Sequence, residues 1–496
     1  MGASRAAEGL LVALLAVCCL PISTFALCLN YLYLTLFRRN PVHRRLRNVA
    51  GFRPKTILIT GVSTPHGLKL ARAFHYTGHR VVGADYEPGA HPLHVRFSNA
   101  LSQFYRLPGE TAEFQEDGYV ARVVHMIEHE DADLWINCSN SASHGLEAQA
   151  RDAVEQRTRC QCFALRTKNM PYFASREAFL KYLASQGLPV PESYQVTSRA
   201  EIHRVLSKAR GSRRYLLESM DQKGVNANTA RTMLPSRTMS QTYDAVARIT
   251  IANTTPWKLE QDINGLERYS TFAIIVTGSV RAFVASRSVR PGCYQALDSK
   301  SALHRSMLGF IHTFARKQGT EFTTHLGFDF CVDEQASESG VFQSILPVQV
   351  SVGANAATQL FCGIGGSISL ARAYLSLFAA EEVNANGRIT RPTPAIIQQE
   401  SLPDDVAFPD TRVPGIYDFG QDLLDLCFEP LRDFLMLRSS VIEFTRHMFE
   451  FLSHLILWEE KTYDFQDPLP FWVAYQVYVP LRLIKSSLFS DHNGPR

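Results

Sequence analysis

The sequence predicts an α/β protein: a Rossmann-like lobe followed by an α+β domain, with a transmembrane helix in front and amphipathic helices behind. Three observations predict it. Pro54 to Asp85 runs strand, glycine turn, helix, strand and terminal acid, the opening unit of a nucleotide-type fold. Thr323 to Thr358 reads as two apolar strands joined by a polar turn. Gly9 to Phe37 carries no charged residue and is long enough for a tilted membrane span of about 20 residues.

A chain of 496 residues, 46% of them hydrophobic, can bury a large core and divide into roughly two to four domains. Its formal charge of +4 is small for that length and gives no argument for a nucleic-acid partner. The apolar leader is preceded only by Arg5 and Glu8 and followed by Arg38, Arg39, Arg44, Arg45 and Arg47. A cleaved signal peptide carries its basic residues in front, so this order argues for an anchor, residues 1–50. The positive-inside rule keeps the arginines cytoplasmic, which makes a single-pass membrane protein with its bulk in the cytoplasm. The ten cysteines agree: they include no C-x-x-C pair and no regular disulfide framework, and Cys160 and Cys162 read as core thiols.

In the first lobe, residues 51–165, the glycines of the turn Gly61 to Gly67 are separated by five residues, so the dinucleotide fingerprint G-x-G-x-x-G is absent. A reductase would also need a Tyr-x-x-x-Lys pair, and none occurs. The lobe therefore reads as structural and free of nicotinamide. Val95 to Pro108 follows as loop, short helix and short strand, then an amphipathic helix from Tyr119 and a strand from Asp133. His125 and His129 lie four apart on that helix with no supporting acid, which reads as a solvated face.

A second domain, 166–378, opens with a capped helix at Ser175, a glycine at its end and a Pro-x-Pro step into the next strand. His203 to Arg214 is basic but has no interleaved aromatics, so it is a helix end and no nucleic-acid patch. Strands begin at Tyr215 and Trp257, with turns at Asn264-Gly265 and Thr277-Gly278-Ser279. Along the 323–358 hairpin, Asp329 sits on the first strand while Gln349 and Ser351 alternate on the second, so the three converge on one small site. After Ala357 the pattern is helical. In 379–496 no apolar stretch reaches about 18 uncharged residues, so these helices lie on the bilayer or the body and do not span.

The segments L-A-R-A-F-H-Y-T-G-H-R-V, R-F-S-N-A-L-S-Q-F-Y-R-L-P, G-L-P-V-P-E-S-Y, L-G-F-D-F and F-Q-D-P-L-P-F-W occur in the order found in one family. The chain resembles the membrane-anchored ATP-grasp ligases related to mycosporine-glycine synthetases, which join an amino acid to a small cyclic acceptor in natural-product pathways. The resemblance implies a pre-ATP-grasp lobe, an ATP-grasp domain over 166–378 and a membrane-proximal C-terminal region. It implies ATP and Mg²⁺ as cofactors, and a small-molecule acceptor and an amino acid as partners. Asp329, Gln349 and Ser351 take the metal positions, Arg176, Glu218, Glu260 and Gln261 the nucleotide positions, and Arg281 a catalytic phosphate contact. Several of these depart from the family pattern: Glu218 stands for a phosphate-binding Lys, Gln349 for a Glu, Ser351 for an Asn, Arg176 for a Lys, and Glu260-Gln261 for the Gln-Glu of the adenine hinge.

Two unit charges about 4 Å apart interact by about 4 kcal/mol at an effective dielectric of 20, so exchanging Lys for Glu turns one attraction to phosphate into a repulsion. Mg²⁺ is held by one or two carboxylates plus phosphate oxygens, and Gln349 offers only a carbonyl. Two readings follow: a carboxylate-amine ligase of secondary-metabolite biosynthesis with a weakened metal site, or a non-catalytic membrane-tethered binding or scaffold protein.

Overall fold

The computed structural model describes residues 2–37, 52–87, 92–107, 116–139, 144–209, 213–219, 231–249, 251, 257–337, 340–386, 406–410 and 412–481. The architecture is mixed α/β, in two compact units. Met1–Phe173, Ser270–Gly327 and Ser351–Arg496 form the larger; Ala174–Tyr269 and Phe328–Val350 form the smaller.

The larger unit begins with helix α1 (Gly2–Phe37), then β1 (Thr56–Thr60), α2 (Pro65–Tyr76), β2 (Arg80–Tyr86), β3 (Gln103–Leu107), α3 (Glu116–Glu130), β4 (Leu134–Asn137), α4 (His144–Arg157) and β5 (Gln161–Phe163). The five strands are parallel in the order β3-β2-β1-β4-β5, so the winding reverses at β1, as in a doubly wound sheet. Ile57, Leu58 and Ile59 are all fully buried, which is why β1 reads as an unbroken apolar run and does not alternate.

Thr64 caps α2 by accepting a hydrogen bond from the Gly67 amide at 3.0 Å, and Pro65 takes the first helical position, where no amide is needed. Gly61 has φ +73°, and a Cβ there would lie 2.3 Å from the Ser139 amide nitrogen, so the turn demands glycine for backbone packing. The acid that ends β2, Asp85, accepts hydrogen bonds from the Ser63 and Tyr86 amides, both at 2.7 Å. It closes its own loop.

The smaller unit contains α5 (Arg176–Ser185), β6 (Ser193–Val196), α6 (Arg199–Lys208), β7 (Tyr215–Ser219), β8 (Arg231–Leu234), α7 (Met239–Ala247) and β9 (Trp257–Gln261). Ser175 caps α5, accepting from the Ala178 amide at 3.1 Å. The strands form an antiparallel sheet, order β6-β9-β7-β8. Tyr215 and Leu217 on β7 and Trp257 and Leu259 on β9 are buried at every second position, and this period-two pattern builds the core with Val196 and Ile202.

Then come β10 (Glu267–Val276), β11 (Ser279–Arg290), β12 (Cys293–Ala296), α8 (Ala302–Gln318), β13 (Thr324–Ser337), β14 (Gly340–Val352) and α9 (Gly363–Asn386). Thr277 (φ +48°) and Gly278 (φ +74°) make the tight two-residue turn that the twist of a hairpin favours. Beyond α9 the sequence reads as helical throughout, and here the structure differs. Two short strands, β15 (Ile416–Tyr417) and β16 (Glu459–Glu460), extend a seven-stranded sheet of order β14-β13-β10-β11-β12-β15-β16. Strands of two residues are too short to show an alternating pattern.

Between and after them lie α10 (Phe419–Asp422), a π-helical turn over Leu423–Phe428, α11 (Glu429–Leu435), α12 (Val441–Leu457) and α13 (Leu469–Val473). The C-terminal segment is fastened to the first lobe by a buried ion pair. Arg72 donates through Nε to Asp467 Oδ2 at 2.9 Å and through its two terminal nitrogens to the Thr462 and Asp467 carbonyls, both at 2.8 Å. Asp467 also accepts from the Ser98 hydroxyl (2.6 Å) and the Asn99 amide (2.9 Å).

In α1, Val17–Leu36 is long and apolar enough to cross a membrane, and none of it is buried. Asn30 donates to the Tyr463 hydroxyl at 3.4 Å, and Tyr33 meets Phe465 edge-on at 5.6 Å. The arginine cluster Arg38 to Arg47 lies outside the described residues.

Candidate functional site

Asp329 on β13 and Gln349 on β14 come together: the Gln349 amide nitrogen donates to Asp329 Oδ2 at 2.7 Å. Asp329 is half-buried and Gln349 exposed. A glutamate at this position would repel Asp329 unless a cation lay between them. Glutamine replaces that arrangement with a hydrogen bond that needs no metal.

Ser351 is engaged elsewhere. Its hydroxyl donates to the Gly327 carbonyl at 3.4 Å and accepts from Asn355 Nδ2 at 3.3 Å, and that amide also bonds the Thr271 carbonyl at 2.9 Å. A Cβ at Gly327 would sit 2.1 Å from Asn355 Nδ2, which explains the glycine of L-G-F-D-F.

A row of charges flanks the hairpin in the smaller unit. Arg176 pairs with Glu260 at 2.8 Å and donates through Nε to the Val348 carbonyl at 3.1 Å, which ties α5 to β14 one residue from Gln349. Lys258 bridges Glu260 (3.1 Å) and Glu177 (3.2 Å). Burial pushes the Glu260 carboxyl upward, but the Lys258 hydrogen bond and the Arg176 charge outweigh it and hold Glu260 below the usual range. Gln261 is buried; its carbonyl accepts from the Glu192 amide at 3.2 Å and its amide donates to Asp333 at 3.4 Å.

Glu218 pairs with Arg231 at 2.8 Å. In the β7–β9 register it stands directly opposite Lys258, and such residues share a face of an antiparallel sheet. A lysine is thus present one strand over from the position where the resemblance expects one. Sequence reasoning missed Lys258, because the signal exists only once the register is known. Arg281, on β11 of the larger unit, accepts from the Ala407 amide through its carbonyl at 2.9 Å, and its buried Nε has no hydrogen-bond partner among the described residues.

Sequence reasoning also missed a cluster in the larger unit. Cys293 on β12 donates to Asp422 Oδ1 at 3.3 Å, and His454 Nδ1 lies 2.5 Å from Asp422 Oδ2. All three are buried, and burial together with Asp422 pushes the Cys293 thiol up to about 12. Among the described residues this is the one group of metal-ligand side chains, with donor atoms within 4.8 Å of one another. Thiolate, imidazole and carboxylate suit a zinc-class ion and not Mg²⁺, which takes oxygen. As they stand, the three satisfy one another.

No family model matches the chain, and no curated protein sequence matches it. Among solved structures it is similar to the biotin carboxylase subunit of pyruvate carboxylase, at 14% identity and a TM-score of 0.46, covering 65% of this chain and 70% of that one. It is also similar to the L-amino acid ligase from Bacillus licheniformis (15% identity, TM-score 0.39, 66% of this chain and 77% of that one). A third is N5-carboxyaminoimidazole synthetase from Staphylococcus aureus (11% identity, TM-score 0.39, 66% and 79%).

Proposed function

We propose that the chain is an ATP-grasp-type ligase that forms a carbon–nitrogen bond between a carboxylate and an amine, with a weakened metal site. The observation that carries this is the Asp329–Gln349 pair, 2.7 Å apart on the hairpin strands, beside the Arg176–Glu260–Lys258 row. Bound Mg²⁺ would neutralise charge on the phosphate groups of ATP. The Asp329 carboxylate is the anionic ligand this chain offers, and Gln349 would turn its amide to present the carbonyl oxygen. Arg176 and Lys258 supply cations for phosphate, and Arg281 keeps the phosphate role that the resemblance gives it. The substrates in this reading are a small-molecule acceptor and an amino acid in secondary-metabolite biosynthesis, and α1 anchors the chain to a membrane in a single pass with its bulk cytoplasmic.

A second reading, a non-catalytic scaffold, is favoured by one specific observation: the Gln349 amide donates to the Asp329 carboxylate, so the pair satisfies itself. Calorimetric titration of the full-length chain in nanodiscs with ATP separates the two. Micromolar binding that requires Mg²⁺ is the ligase outcome. No heat at millimolar nucleotide, with or without Mg²⁺, leaves the scaffold.

A further inference from the structure

Helix α12 turns the wrong side outward for a protein surrounded by water. Its outer stripe is Ile442, Thr445, Phe449, Leu452 and Ile456, spaced at three and four residues so that they form one line along the helix. Ile442, Phe449 and Ile456 are 79%, 77% and 78% exposed, so the stripe has no cover among the described residues. Its inner face, Phe444, Phe451, His454 and Trp458, is already packed or half-packed. The end of α11 and the turn after it add Leu435 and Leu437. Leu437 is 91% exposed and has φ +57°, a conformation that glycine or asparagine adopts more readily. A contiguous apolar face of this kind marks a docking surface, whereas isolated exposed apolar residues do not. Arg432, Arg438 and Arg446 are exposed around it.

The occupant follows from what this layer is joined to. Phe451 of α12 packs on Phe419, Phe419 on Phe471 and Tyr475, and Phe471 on Tyr463, with ring centroids 4.8 to 6.3 Å apart along the path. The Tyr463 hydroxyl then accepts from Asn30 of α1. The inner face of α12 therefore belongs to the same packed layer that holds the apolar helix Val17–Leu36, and the stripe is the uncovered side of that layer.

We infer that the α11–α12 hairpin is a second membrane attachment. It lies in the plane of the bilayer that α1 crosses, with the Ile442, Phe449 and Ile456 side chains in the acyl boundary and the arginines at the phosphates. This rests on the membrane reading of α1 given above.

The test uses the full-length chain reconstituted in phosphatidylcholine–phosphatidylserine vesicles, carrying either Phe449→Trp or Ile22→Trp, with the emission of the unsubstituted chain subtracted. Ile442→Trp, on the same stripe, guards against a local effect of one substitution. An indole seated about 5–10 Å into the interface should lose about half its emission when the acyl chains are brominated and should be shielded from aqueous iodide. That outcome for both stripe variants supports the inference. If iodide reaches the indole of the Phe449→Trp chain and brominated lipid does not, while the indole of the Ile22→Trp chain is quenched by lipid, the inference fails and the anchor stands. If neither is quenched by lipid, the membrane reading itself fails and takes the inference with it. If the indole of the Phe449→Trp chain is shielded from both quenchers and becomes accessible on dilution, a second copy of the chain covers the stripe and the inference is overturned.

Discussion

Asp467 and Asp329 are both carboxylates with named partners, and their surroundings could hardly differ more. Asp467 is 2% exposed and accepts from Arg72, Ser98 and the Asn99 amide, the ion pair joining the C-terminal segment to the first lobe. Asp329 is half-buried, beside an exposed glutamine. Every donor named around Asp467 comes from the chain itself, so its charge serves the fold. Asp329 lies at a surface where solvent or a ligand can reach the pair. The first kind of site should fail by unfolding, the second by losing affinity while the chain stays folded.

The largest effect should come from breaking the buried pair. Asp467→Ala strips the buried Arg72 guanidinium of its paired carboxylate and leaves it only the more distant charge of Asp464, which costs about 3–5 kcal/mol. Denaturant unfolding of the full-length chain should show that loss. Arg72→Met combined with Asp467→Leu should recover much of it, because no charge is then left stranded. A single substitution that costs nothing would remove the contrast.

A second buried carboxylate makes the fold side of the comparison depend on pH. Burial pushes Glu460 up to about 7, although its Oε2 accepts from the Thr462 and Tyr463 amides at 2.7 and 2.6 Å. The folded state therefore holds a proton that the unfolded chain releases nearer 4.5. Stability from this group is complete below that lower value and is lost as the pH rises through about 7. The span corresponds to about 3 kcal/mol at about 1.4 kcal/mol per pH unit. Thermal unfolding followed from pH 5 to 8 should show the decline, and Glu460→Gln should flatten it.

The outline of the fold was legible in the sequence because it is written locally. The strand, turn and helix before Asp85, the Ser175 cap and the Thr277-Gly278 turn depend on residues close together in the chain, and the structure has them. The Arg72–Asp467 pair and the Cys293–Asp422–His454 cluster join residues far apart, and no periodicity announces such a meeting. The placement of Lys258 opposite Glu218 is hidden for a related reason: it exists across a strand register, not along a strand. The hairpin pair was visible because two adjacent strands alternate in step, whereas Ser351, two residues further on, is taken up by Gly327 and Asn355.

The buried cluster tests whether self-satisfaction is what separates the two classes. His454→Ala leaves one oxygen of the buried Asp422 without its donor, a loss of about 1–3 kcal/mol. If the three only bond one another, chelators should leave the melting temperature of the unsubstituted chain unchanged. A fall in melting temperature on chelation, restored by zinc, would move the cluster out of the purely structural class.

The smallest effect is the most informative about function. Gln349→Glu removes the 2.7 Å hydrogen bond and sets a second carboxylate beside Asp329, so the two repel unless a cation lies between them. Without Mg²⁺ the variant should be slightly less stable than the unsubstituted chain. With Mg²⁺ and ATP it gains a second anionic ligand, and nucleotide affinity should rise about tenfold, or about 1.4 kcal/mol. Asp329→Asn should move it the other way. Calorimetry at fixed Mg²⁺ reads both. If neither substitution changes Mg²⁺-dependent affinity while both proteins remain folded, the hairpin is not where nucleotide and metal meet, and Asp329 joins Asp467 as a carboxylate that serves only the fold.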